Sequence, residues 1–211
     1  MSRSAAEPLG FLLALALLAG PAHAGGDGPV AALERIAAAV RARPVWTAAY
    51  VQEYVPAGMT AGETVSGTLT LAWPDRALFV EGDPPVRTMG MAGRKVRLVD
   101  LEAGSCDDHV LTESEWERIP LAALLDPEKA LERFTVLTGD GALVLVPRQR
   151  TAIARVAVTA GKDGLPESVV VEDVSGAVNR FRFTEWRPGR APRTGWLPSP
   201  PEGVTCLTDA G

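Results

Sequence analysis

Residues 179–186 read Asn-Arg-Phe-Arg-Phe-Thr-Glu-Trp, which sets Phe181 and Phe183 on one side of an extended chain and Arg180 and Arg182 on the other. That is the period of a strand with one apolar and one wet face. The same alternation recurs in TAAYVQEYV (47–55), GTLTLAW (67–73), ALFVEG (77–82), VRTMGM (86–91) and RKVRLVD (94–100), and again in ALVLVPR (142–148), ARVAVTA (154–160) and ESVVVED (167–173). The joints between them are strand breakers: Pro74-Asp75, Gly82-Asp83-Pro84-Pro85, Gly161-Lys162-Asp163-Gly164 and Ser175-Gly176. Short joints of this kind predict about nine strands in antiparallel meanders.

Helical spacing appears in two places. Val30, Leu33, Ile36, Ala37 and Val40 follow Pro29 and stop before Pro44, an amphipathic helix with proline in its first turn. In the middle, Thr112-x-x-Glu115 has the form of a capping box, PLAALL (120–125) is a short apolar helix, and Asp126-Pro127 opens a helix over EKALERF. So little helix cannot cover both faces of a sheet this long. The pattern therefore predicts a mainly β, α+β fold: a curved antiparallel sheet rolled into an incomplete barrel, with an apolar cavity covered by helices.

Alternation assigns the inward residues. On the first half of the sheet they are Leu69, Leu71, Leu78, Val80, Met89, Met91, Val96 and Leu98. On the second half they are Leu143, Leu145, Val156, Val158, Val169, Val171, Phe181 and Phe183. The covering helices present Leu33, Ile36 and Val40 from the first and Leu121, Leu124 and Leu125 from the central one. A sealed core and an open cavity have the same lining and differ in whether the lid fills the space. Met89 and Met91 add adaptable thioethers suited to variable apolar partners, or to filling core gaps.

The N-terminus changes where this domain is expected to work. Arg3, the apolar run Leu9 to Ala19 and the small-residue triplet Ala22-His23-Ala24 have the layout of a secretory signal peptide cut after Ala24. The run falls short of the roughly 20 residues of a membrane span. A single exported domain beginning at Gly25 is expected, with no cysteine there to carry a lipid anchor. A net charge of −5 and a pI near 5.2, with no basic stripe, point away from nucleic acid.

Candidate chemistry is sparse. Beyond Ala24 the chain has one histidine, His109, and it lacks GxSxG, HExxH and a phosphate-cradling glycine loop, so an enzyme is not expected. Cys106 and Cys206 are the two cysteines. An oxidising compartment favours a disulfide between them, while the Cys106-Asp-Asp-His109 spacing leaves a metal site as the alternative.

Several motifs in order resemble the periplasmic lipoprotein-carrier family, LolA. AYVQ (Ala49 to Gln52) is similar to its aromatic-x-Gln strand, and GTLTLAWPDRALF (Gly67 to Phe79) to its Gly-x-Leu strand and proline turn. AGRKVRLVD (Ala92 to Asp100), PLAALL and KDGLPESVVVEDVSGAVNRFRF resemble its later strands and central helical segment, and WLPSPPEGV (Trp196 to Val204) its ending. The resemblance implies a periplasmic chaperone, expected to be monomeric, that binds lipoprotein acyl chains and uses no cofactor or nucleotide. It would receive them from an inner-membrane ABC-type releasing complex and pass them to an outer-membrane acceptor. A lipid- or lipoprotein-sensing regulatory module of the same fold is the alternative. Two positions depart from the family: Trp73 stands where it has an arginine that bonds to the lid, and Ala77 where it has phenylalanine. Arg76 is the nearest cation that could substitute.

Overall fold

The structure, a computed structural model, describes residues 28–116 and 126–208. The expected signal peptide and the lid residues Leu121, Leu124 and Leu125 lie outside them. Among the described residues a helix α1 (Pro29–Arg41) precedes six strands: β1 (Trp46–Val55), β2 (Glu63–Ala72), β3 (Arg76–Glu81), β4 (Arg87–Ala92), β5 (Lys95–Asp100) and β6 (Ser105–Val110). Two short helices follow, α2 (Glu113–Trp116) and α3 (Pro127–Arg133). The second strand group is β7 (Phe134–Gly139), β8 (Ala142–Pro147), β9 (Ile153–Ala160), β10 (Pro166–Asp173) and β11 (Val178–Pro188), and β12 (Leu207–Thr208) ends it.

All twelve strands form one sheet in the order β12-β6-β5-β4-β3-β2-β1-β11-β10-β9-β8-β7. Two antiparallel meanders are thus joined by β1 against β11, and β7 and β12 remain at opposite edges, so the barrel is incomplete. Only β12 runs parallel to its neighbour. The expected nine strands become twelve because β6, β7 and β12 lack the alternation: Ser105-Cys-Asp-Asp-His-Val110 is mostly polar, and Phe134, read as the end of a helix, opens β7.

The helix signals produce their local structures. Asp126 accepts a hydrogen bond from Lys129 N as the N-cap of α3. Thr112 and Glu115 bond reciprocally, Glu115 Oε2 accepting from Thr112 N at 2.8 Å and Thr112 Oγ1 accepting from Glu115 N at 3.2 Å. α1 buries Leu33, Ile36, Ala37 and Val40, while Val30 at its start is exposed. The indole of Trp46 donates to the Val40 carbonyl at 2.8 Å, fixing the last turn of the helix to the first strand.

A β-bulge breaks the β1–β11 register between Thr47 and Ala49, and Glu185 opposite takes a left-handed backbone with φ of 56°. The extra residue turns Trp186 to the same face as Phe183, where their ring centroids lie 5.6 Å apart. Trp186 also donates its indole N–H to the Pro166 carbonyl at 2.8 Å. Strict alternation from Phe181 and Phe183 would have put it on the other face.

Candidate functional site

Cross-strand partners share a face, so the register follows the inner surface from strand to strand. Leu69 and Leu71 pair with Phe79 and Ala77. These pair with Met89 and Met91, and those with Leu98 and Val96. On the other half Phe181 pairs with Val169, which meets Val158 and then Leu143, while Val171 meets Val156 and then Leu145. Leu78 and Val80 correct the reading of β3. They pair with Thr70 and Thr68 and stand on the outer face, leaving Ala77, Phe79 and Glu81 inward. ALFVEG is apolar on both sides, so period alone could not choose its face.

The inner face divides into two parts. Leu69, Leu71, Leu143, Leu145, Val156, Val158, Val169 and Phe183 form a sealed core with Leu33, Ile36 and Val40 of α1, and with Ala130 of α3 and Phe134. Met91 and Val171 pack at its edge. The second part is an open groove of about 420 Å³, lined by Tyr50, Gln52, Phe79, Glu81, Arg87, Met89, Leu98, Asn179 and Phe181. Its walls are aromatic: Tyr50 meets Phe79 edge-on at 5.4 Å, and Phe79 meets Phe181 at 6.4 Å. The expected cavity residues are therefore shared between a filled space under α1 and an unfilled one over β3 to β5.

The groove carries charge where a core would not. Arg87 reaches inward between two carboxylates, 3.4 Å from Glu81 and 3.5 Å from Asp100. Tyr50, only 4% exposed, has its phenol pKa pushed up to about 12, first by burial and then by Glu81, with Arg87 opposing.

The outer face is covered differently. The segment after β11 crosses it so closely that a Cβ on Gly90 of β4 would meet the Trp196 carbonyl and the Pro198 ring, which is why glycine stands there. Arg97 holds the segment through the Pro198 carbonyl at 3.3 Å while forking onto both oxygens of Asp108 at 2.6 and 2.7 Å. Cys106 and Cys206 are joined in a disulfide, beside a Val99 that is fully buried on this face. The C-x-x-H metal reading fails on geometry: residues 106 and 109 sit on opposite faces of β6. His109 lies 3.4 Å from Glu115 instead. Asp108 does stand near both sulfurs, but the sulfurs are bonded to each other and the carboxylate to Arg97.

At the two family departures, Arg76 is not the replacement cation, for it projects outward from β3 and lies 3.9 Å from Asp75. The guanidinium of Arg41, in the last turn of α1, stacks 4.6 Å from the centre of the Trp73 ring. The cation comes from the helix and the acceptor from the turn. Ala77 is buried in the core beneath.

No protein-family model matches this sequence, and no curated protein matches it either. Among solved structures, the complex of Pseudomonas aeruginosa MucA and MucB is similar with a TM-score of 0.46 and 17% identity, over 78% of this chain and 58% of the matched one. A LolA superfamily protein from Nitrosomonas europaea is similar with a TM-score of 0.44 and 9% identity, over 82% and 99%. The Mycobacterium tuberculosis lipoprotein LppX gives 0.43 and 8%, over 77% and 97%. The open sheet with helices on its inner face is the architecture that the LolA resemblance implies, and likenesses this distant leave function to be read from the chain's own residues.

Proposed function

We propose that this protein is a periplasmic carrier that takes the acyl chains of lipoproteins into the inner-face groove and shuttles them from the inner to the outer membrane. The observation that carries the reading is the groove itself. An aromatic-walled space of about 420 Å³, with Phe79, Met89, Leu98 and Phe181 beside the polar Gln52, Glu81, Arg87 and Asn179, lies next to the helix-covered core on the same face. Its size falls within the roughly 300–1,000 Å³ of small-molecule sites. Phe79, Met89, Leu98 and Phe181 supply hydrocarbon, and Met89 can repack around chains of different shape. α1 over the core and the Cys106–Cys206 bond suit an exported protein that keeps its scaffold rigid while its groove stays open.

Carriage needs binding that is reversible at both ends, which an open groove with a polar rim supplies more readily than a sealed cavity. Export through the signal peptide, release by an inner-membrane ABC-type complex and delivery to an outer-membrane acceptor belong to the same proposal. No covalent step is required of the protein. Native mass spectrometry on protein purified from its own periplasm tests the reading. A mass increment from an acylated peptide is expected, and a protein that is bare whenever lipoproteins are present would contradict it.

A further inference from the structure

We propose that the groove selects acyl chains joined through a neutral ester or amide, with the Tyr50 hydroxyl donating a hydrogen bond to the carbonyl of that linkage. The inference rests on the acyl-carrier reading above and adds the chemistry of the chain's head.

Tyr50 is 4% exposed as a residue and lines the groove, and among the described residues no side chain or backbone group accepts from its hydroxyl. The oxygen is not sealed off, unlike Asn179 Oδ1 in the same lining, which is buried without a partner, so the hydroxyl is open to an acceptor that enters the groove. Burial and the neighbouring Glu81 carboxylate hold its proton, so it acts as a donor throughout the physiological range. The register explains the closeness of the two groups: Tyr50 and Glu81 both pair with Gly67, one from each side, so no side chain stands between them. A Cβ at Gly67 would meet the Val80 carbonyl, which keeps the position glycine.

The donor's surroundings decide which acceptor fits. Arg87 is the cation of the lining, but its one charge is shared between Glu81 and Asp100, leaving a net negative cluster beside the phenol. Gln52 and Asn179, which complete the polar part of the lining, are uncharged. A carboxylate at the head of a free fatty acid would meet this cluster with like charge, whereas an ester or amide carbonyl accepts the same hydrogen bond without that repulsion.

Titration calorimetry near neutral pH on the full exported chain, with 1-monododecanoyl glycerol and dodecanoate below their micellar concentrations, tests the proposal. The ester should bind at least about fivefold tighter than the acid. Tyr50→Phe should weaken the ester about three- to tenfold and leave dodecanoate unchanged. Glu81→Gln should tighten dodecanoate. Equal affinities in the native protein, or an ester affinity untouched by Tyr50→Phe, would overturn the selection while acyl binding stood. Failure of both ligands to bind would remove the carrier reading together with it.

Discussion

Phe181 and Phe183 stand side by side on the inner face of β11, their rings 6.0 Å apart and parallel to within 2°. They differ in what lies beyond them. Phe183 is 7% exposed and belongs to the core under α1, whereas Phe181, packed at the edge of that core, lines the open groove and meets Phe79. The boundary between the part of this sheet that holds the fold together and the part free to hold a ligand falls between two adjacent aromatic rings.

A mutation on the sealed side should therefore act on stability. Phe183→Ala removes a ring that packs against Phe181 and Trp186, and it should cost about 3 to 5 kcal/mol, as for large-to-small changes in cores. Urea unfolding followed by circular dichroism measures it. A cost under about 1 kcal/mol would mean the space beneath α1 is not sealed.

The stacking of Arg41 on Trp73 is the contact that ties the end of α1 to the β2–β3 turn. Trp73→Ala should cost about 0.5 to 2 kcal/mol from the cation–π pair and more besides, because the ring also packs against the core. Hydrogen exchange should show faster amides in the last turns of α1, with β9 and β10 unchanged. Uniform acceleration across the sheet would show instead that Trp73 supports the whole core.

The sequence made the inner face readable wherever one side of a strand was polar. In NRFRFTEW the arginines forced the phenylalanines inward, and in GTLTLAW the threonines did the same for Leu69 and Leu71. It failed where that contrast was missing. β3 is apolar on both faces, and the C-terminal segment crosses the outer side next to it, at Gly90, the cross-strand partner of Leu78, a long-range fact that no local period carries. β6 is polar because its stability comes from pairs such as Arg97–Asp108 and from the disulfide. Trp186 was lost to a bulge, which shifts the period by one residue without leaving a glycine to mark it. The groove itself was not legible, since a filled and an unfilled space have the same lining until the helix is placed.

The bond between Cys106 and Cys206 spans a sequence separation of 100 and pins the C-terminal segment to the outer face. The Cys106→Ser, Cys206→Ser double variant should be less stable than the native protein by about 4 to 5 kcal/mol on the chain-entropy account. Because the groove lies on the other face, acyl binding at a temperature where the variant stays folded should be preserved. Binding lost in step with the bond would place the ligand on the outer face.

Tyr50 also predicts an alkaline response. Its proton is held more tightly in the folded chain, so the unfolded state binds fewer protons between pH 10 and about 12. The contribution is complete below the unfolded pKa of about 10 and is lost as pH rises through about 12. Stability of the native protein should fall across that window more steeply than that of Tyr50→Phe, by an amount on the order of 2 to 3 kcal/mol. Parallel curves for the two proteins would show that the phenol is as free to ionise in the fold as outside it.

The most direct measurement is Phe181→Glu, followed by thermal unfolding and by binding of an acylated lipoprotein. Phe181 borders open space, so a carboxylate there can remain hydrated when the groove is empty, and the fold should lose less than about 2 kcal/mol. Once hydrocarbon enters, the same carboxylate must be desolvated against it, and affinity should fall by at least about tenfold. A folded Phe181→Glu protein that no longer takes the acylated ligand is the predicted result. A folded variant that binds it as well as the native protein would contradict the assignment of this groove to acyl chains.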